Sequence, residues 1–362
     1  MTARSFLVLA LLTVVMVIAA ALTLMREDRP ESITGTNTLV FPDLLQRIDN
    51  LAGIRIENAD GTLTIESTEQ GWGLKERDGY PVAPDKIKDL VISLARLTKI
   101  EPKTARADLY AKLGVENVDV DGATSQLVIL EDKDKGALAK LIVGKAAYGL
   151  GEEGGVYIRL PDEARSWAAR GRLNVGRTPE DWLSRRVADI PVTDLARVQI
   201  THADGQVLTV TRAEDGSFTL QELPEGGSLR RPNELRSMAS AISDLSLSDV
   251  RAADDIEFSD DKGLRARFET TGGLIVSVLV NELDGQPWLK LSARAQQTQQ
   301  SESADQDTSI AAQAEMLNDR WRNWVFGVPE WKIKPLRLNM AELLNAPGDP
   351  QVSPESAIES QQ

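Results

Sequence analysis

A strand, a turn and a second strand occur twice in this chain, 144 residues apart. Ile54-Arg55-Ile56-Glu57-Asn58-Ala59-Asp60-Gly61 reappears as Val198-Gln199-Ile200-Thr201-His202-Ala203-Asp204-Gly205. In both copies apolar residues alternate with polar ones, the period of a half-buried strand, and both run into Asp-Gly. That dipeptide between alternating apolar residues predicts a type I′ hairpin, whose two central residues take positive φ. Leu63 and Ile65 then match Leu208 and Val210 on the returning strand, and Trp72 matches Phe218 as the inward aromatic of a third.

The repeat extends well beyond the hairpin. Pro84 opens a segment with Ile87, Leu90, Val91, Leu94 and Leu97 at helical spacing, and Pro232 opens its counterpart with Leu235, Met238, Ala239, Ile242 and Leu245. Proline suits a first helical turn because its missing N–H has no intrahelical partner there. A second strand group follows in each half: Leu127–Leu130, Leu138–Val143 and Val156–Leu160, then Leu264–Phe268, Leu274–Val280 and Trp288–Leu291. The expected fold is α+β: an N-terminal transmembrane helix followed by two repeated modules of antiparallel sheet with packed helices, over residues 44–190 and 191–345. Polar runs at 295–309 and 346–362 have few apolar residues to bury, and are expected to form a mobile loop and a disordered tail.

The transmembrane helix is read from Ser5–Met25, a run without charge and long enough for a bilayer core of about 30 Å. With Arg4 ahead of it, residues 1–26 read as an anchor in the lipid bilayer. The N-terminus is then cytoplasmic and the bulk of the chain periplasmic, in a bacterial inner membrane. A cleaved signal peptide is the alternative, since Ala19-Ala20-Ala21 offers a small-residue cleavage site.

Composition removes much familiar chemistry. The chain has no cysteine and one histidine, His202, which excludes thiol nucleophiles, cysteine-held zinc and His-rich metal centres. A net charge of −14 repels phosphate backbones, so nucleic acid is not an expected partner. Gly149-Leu150-Gly151-Glu152-Glu153-Gly154 matches a dinucleotide fingerprint on paper. It falls between two strands and carries two glutamates, so it reads as a hairpin loop. Asn117-Val118-Asp119-Val120-Asp121-Gly122 opens like a calcium loop but has Val128 where a bidentate glutamate belongs, so a solvated turn is the plainer reading. His202 reads as an exposed turn residue, and no catalytic residue, cofactor or metal is assigned.

Two groups remain as a possible partner surface. Arg165, Arg170, Arg172, Arg177, Arg185 and Arg186 gather positive charge in an acidic chain, facing anionic headgroups, an acidic partner surface or solvent. Trp321, Trp324 and Trp331 form the other group, a partner surface, an interfacial anchor or, by analogy with Trp182 in the first copy, core.

The segments LAGIRIENADG, GWGLKERDGYPVAPDKIKDLVISLARL, YAKLGVENVDV, LIVGKAAYGLGEEGGVYIRL and DWLSRRV, in that order, resemble the domain-of-unknown-function family 4340. The resemblance is clearest over residues 51–190. It implies an envelope protein associated with gliding-motility-type auxiliary ABC transporters, and it transfers no catalytic residue. The function expected is a non-enzymatic accessory or scaffold of an ABC-type export system, with a transporter permease as partner. A module that binds an envelope polymer or lipid, and a carboxylate-dependent hydrolase, are the alternatives.

Overall fold

The computed structural model describes residues 36–68, 71–258, 263–296 and 304–345. In chain order they form β1 (Thr38–Leu39), α1 (Leu44–Arg47), β2 (Leu51–Asn58), β3 (Gly61–Thr68), β4 (Gly71–Leu74), β5 (Tyr80–Pro81), α2 (Pro84–Arg96), β6 (Thr98–Pro102), α3 (Tyr110–Leu113), β7 (Gln126–Asp132), β8 (Ala137–Ala146), β9 (Gly155–Arg159) and β10 (Ser166–Arg170). They continue as β11 (Arg186–Ala188), β12 (Leu195–Thr201), β13 (Val207–Arg212), β14 (Phe218–Leu220), α4 (Asn233–Ala239), β15 (Leu245–Ser246), β16 (Asp249–Ala252), β17 (Leu264–Thr270), β18 (Leu274–Leu283), β19 (Gln286–Ala295), α5 (Ala304–Trp321), β20 (Trp324–Gly327), α6 (Glu330–Ile333) and α7 (Met340–Leu343). The ladders that build the sheets are antiparallel.

By contacts the described residues fall into two units. One takes those up to Thr62 with Ile87–Arg177; the other takes Leu63–Lys86 with those from Thr178 onward. This division differs from the expected modules, because residues 63–86 of the first copy belong with the second unit. Strand order still displays the duplication. The first unit runs β6-β10-β9-β8-β7-β2, and the second runs β16-β20-β19-β18-β17-β12, place for place. β13 and β14 extend the second sheet, and β11 pairs with β15.

Alternation accounts for the cores. Ile54, Ile56, Val128, Leu130, Leu141 and Ile158 are buried in the first unit, and Val198, Ile200, Leu208, Val210, Phe268, Val276 and Leu289 in the second. α2 buries Ile87, Leu90, Val91 and Leu94, the stripe that its spacing predicts. α4 is shorter than its pattern suggests, tightening after Ala239 into a 3-10 turn over Ser240–Ile242. Its serines compete for the backbone: the Ser237 hydroxyl donates to Asn233 O at 3.2 Å and that of Ser240 to Ser237 O at 3.1 Å.

The repeated Asp-Gly turns are not type I′. The Gly205 N–H donates to His202 O at 3.0 Å, and the glycine, not Asp204, takes positive φ, at +86°. This is a type I turn closed by a left-handed glycine. In the first copy the positive φ again falls on the glycine, Gly61, while Asn58 Oδ1 accepts the Asp60 N–H at 2.8 Å. A type I′ turn does occur at Asp284-Gly285, with φ of +54° and +75°, between the paired ends of β18 and β19. Trp72 and Phe218 lie half-buried at the strand starts, and Leu74 and Leu220 fill the core from β4 and β14.

The expected single-pass transmembrane helix, and with it the inner-membrane placement, is corrected. Among the described residues no helix is long and apolar enough to cross a membrane. The longest, α5, carries Asp305, Asp307, Glu315, Asp319 and Arg320, too many charges for a hydrocarbon core. The run Ser5–Met25 lies outside the described residues, as does the tail 346–362. The expected loop 295–309 is corrected in part: Ala295 closes β19, residues 304–309 begin α5, and 297–303 lie outside the described residues. Ile310, Ala314, Leu317 and Trp321 recur at helical spacing just beyond that polar run, and their stripe carries the helix into it.

Candidate functional site

The second sheet turns Val198, Ile200, Ala266, Phe268, Val276 and Val278 inward. Period two therefore points Gln199, Thr201, Arg265, Arg267, Ser277, Leu279, Lys290 and Ser292 to the other side. Registers set them in two rows across four strands: Thr201, Arg265, Leu279, Lys290, and beside it Gln199, Arg267, Ser277, Ser292. These residues, with Phe258, line a cleft of about 470 Å³. Arg265, Lys290 and Ser292 are exposed. Arg267 Nε lies 3.0 Å from Glu269 Oε1, an ion pair without hydrogen-bond geometry. A third row on the same side runs Arg197, Glu269, Ile275 and Arg294, in which Ile275 is buried. Positive charge thus concentrates on one face of a strongly acidic chain.

The first copy closes the same face. The registers place Leu127 where Arg265 stands, Ile129 at Arg267, Ile142 at Leu279 and Arg159 at Lys290. Residues 103–125, which join β6 to β7, supply Tyr110, Leu113 and Val115 to a small core with Ile142, Leu127 and Tyr157. Arg159 is 4% exposed and fully engaged. Its Nε donates to Val115 O at 2.9 Å, its Nη2 donates to Asn117 Oδ1, and the guanidinium lies 4.6 Å from the Tyr110 ring centre. In the second copy the matching connection, residues 253–263, is about half as long.

The loop 117–122 is part of that cover. Asn117 is committed to Arg159. Glu116 Oε1 accepts the Thr124 N–H at 2.6 Å and its hydroxyl at 3.1 Å. Burial pushes the Glu116 carboxyl up, but these and further backbone hydrogen bonds bring it below its usual range. Among the described residues no group of three or more acidic, histidine or cysteine side chains is placed to hold a metal ion. Gly149–Gly154 lies between β8 and β9, as a hairpin loop does.

The sequence-predicted arginines divide between the units. Arg165 donates to Lys103 O at 3.3 Å; Arg170 and Arg172 are exposed; Arg177 donates to Thr124 O at 3.1 Å and lies 3.7 Å from Asp60. In the second unit Arg185 is exposed and Arg186 lies 3.4 Å from Asp189. The tryptophans also separate. Trp321 is 1% exposed, its indole N–H donating to Val187 O at 2.9 Å, whereas Trp331 is 67% exposed with the Lys332 ammonium 5.2 Å from its ring. Trp324 is half-buried in a groove of about 570 Å³ beside Tyr80, Ser184 and Arg320. Burial pushes the Tyr80 hydroxyl up to about 12, against a smaller opposing effect of Arg320. Arg265, Arg267 and Lys290 were missed because no local run of basic residues marks them. Their signal is a comparison between copies, LVIL at 127–130 against RARF at 265–268.

A family model for a domain of unknown function, DUF4340, matches residues 72–266. The chain belongs to that family. The DUF4340 match begins in β4 of the first copy and ends in β17 of the second, so it includes the closed face and only the start of the open one. It reaches further along the chain than the resemblance over 51–190. No curated protein and no solved structure matches the chain.

Proposed function

We propose that this protein works by binding, as a non-enzymatic accessory or scaffold that holds a partner protein on the open face of its second sheet. The observation that carries this reading is the contrast between copies of one fold. Residues 103–125 cover Leu127, Ile142 and Arg159 in the first copy, whereas among the described residues the matching Arg265, Leu279 and Lys290 line a polar cleft in the second. A sheet face with exposed arginine and lysine faces solvent rather than a core, and its charge can be met by an acidic partner. The family resemblance adds a partner class, a subunit of an ABC-type export system.

The test places a photo-crosslinking residue at Ser292, on the open face, and at Lys140, on the face of the first sheet. A defined protein adduct at Ser292 and none at Lys140 is the expected result. Mass spectrometry of the adduct then reports whether the partner is a transporter subunit. An absence of any adduct at Ser292, with the chain expressed and folded, overturns the reading.

A further inference from the structure

Resting on that reading, we infer that the open face takes an acidic peptide segment of the partner, laid across Arg265, Arg267 and Lys290 in the position that residues 103–125 occupy in the first copy. Two observations carry this. The first is the chain's own precedent for what covers such a face. Arg159, at the place of Lys290, donates to the Val115 carbonyl and the Asn117 side chain within residues 103–125, and to the carbonyls of Pro161 and Glu163 in the turn after its own strand. The second is the change in charge. Leu127, which packs against an apolar cover, becomes Arg265, and the buried Ile129 becomes Arg267, so a cover for the second face needs carboxylates where the first uses Leu113 and Val115.

Size and field favour a short segment over a long polyanion. Four strands at about 4.8 Å spacing make a face roughly 14 Å across, the reach of four or five extended residues. Charges beyond about 8 Å are screened at physiological ionic strength, so a short acidic segment feels the local arginines and lysine. A long polyanion would also run over the remainder of a chain carrying −14.

The experiment titrates the full chain with a fluorescent peptide of about ten residues rich in Asp and Glu, its Asn/Gln counterpart, and inorganic polyphosphate. The acidic peptide is expected to bind, the neutral one not, and affinity should fall as salt rises. Arg265→Gln with Lys290→Gln should weaken binding about tenfold or more, whereas Arg265→Lys with Lys290→Arg should retain most of it. Equal binding by the Gln variant, or no binding of the acidic peptide, overturns the inference. Polyphosphate binding through Arg265 and Lys290 without peptide binding overturns it in favour of a polyanion. An adduct at Ser292 without acidic-peptide binding removes the ligand class and leaves the binding role standing; loss of both removes both.

Discussion

The Tyr80 ring meets the Trp324 indole edge-on, with centroids 5.1 Å apart and planes at 86°, while the Tyr80 hydroxyl donates to Ser184 O at 3.0 Å. Residues 63–86 and β20 are thereby joined within one unit through an aromatic pair backed by a partly buried hydrogen bond. Edge-to-face pairs add roughly 0.5–1.5 kcal/mol beyond the area they bury. Trp324→Ala should therefore destabilise the fold by about 2 kcal/mol, and Trp324→Phe by less than half of that, as read by urea denaturation. An unchanged unfolding midpoint in Trp324→Ala would show that the indole serves only the groove.

Tyr80 also predicts a response to alkaline pH. Its folded value near 12 lies above the ordinary 10, so its contribution to stability is fully present below pH 10 and is lost as pH rises from 10 to 12. The size is on the order of 2–3 kcal/mol. Tyr80→Phe gives up the bond to Ser184, costing about 1 kcal/mol at pH 8, but it has no hydroxyl to ionise. The wild type should be the more stable protein at pH 8, and Tyr80→Phe should match or exceed it near pH 11.5. Parallel pH profiles for the two proteins would contradict this.

A second tie in the same unit is ionic. Arg77 Nε donates to Asp249 Oδ1 at 2.9 Å and its Nη2 to Glu180 Oε1 at 2.8 Å, with a quarter of the side chain exposed. A guanidinium serves both carboxylates because its fork presents several donors, and lysine offers only a single point charge. Arg77→Ala should cost about 1–2 kcal/mol by denaturation, and Arg77→Lys should recover less than half of it.

The sheet edge supplies a further test. β20 pairs with β19 at Trp288 and Leu289, and further along β19 the Asn318 amide takes over. Its Oδ1 accepts the Ala293 N–H and its Nδ2 donates to Ala293 O, both at 2.8 Å. One side chain thus replaces a neighbouring strand for one residue, which covers backbone groups that would otherwise stand open. Asn318→Ala should destabilise by about 1–3 kcal/mol and raise amide exchange at Ala293, because a half-buried donor and acceptor lose their partners together.

Much of this fold is legible in the residues themselves. Ile54 and Ile56 align with Val198 and Ile200, and the helix beginning at Pro84 shows its buried stripe, because alternation and helical spacing are local properties. Turn type was less legible: in both copies the glycine and not the aspartate takes positive φ, with the Asp60 N–H bonded to Asn58 in one and the Gln206 N–H to Asp204 in the other. The tryptophans show a further limit: Trp321 and Trp331 are similar in sequence context, yet one is core and the other is two-thirds exposed. The binding face was hidden for a different reason. Arg265 and Arg267 look like ordinary outward residues of an alternating strand. They acquire meaning from the connection before β17, which is too short to repeat the cover formed by residues 103–125. A property of two distant segments cannot be read from either one.

That contrast can be tested by exchanging the residues that define it. Ile129 is 4% exposed and paired with Arg55 and Lys140, and the nearby Glu131 is already held by Arg55, so Ile129→Arg buries an uncompensated guanidinium at a cost of about 3–5 kcal/mol. Arg267→Ile, the reciprocal change at the matching register position, replaces a partly exposed side chain and should stay within about 1 kcal/mol of wild type. It should also leave an apolar spot on the open face, detectable as increased dye binding or self-association at high concentration. The expected result is a large asymmetry between two substitutions that are chemically mirror images. Equal costs for the pair would mean that both copies cover this face alike, and the cleft at Arg265, Arg267 and Lys290 would lose its standing as a site.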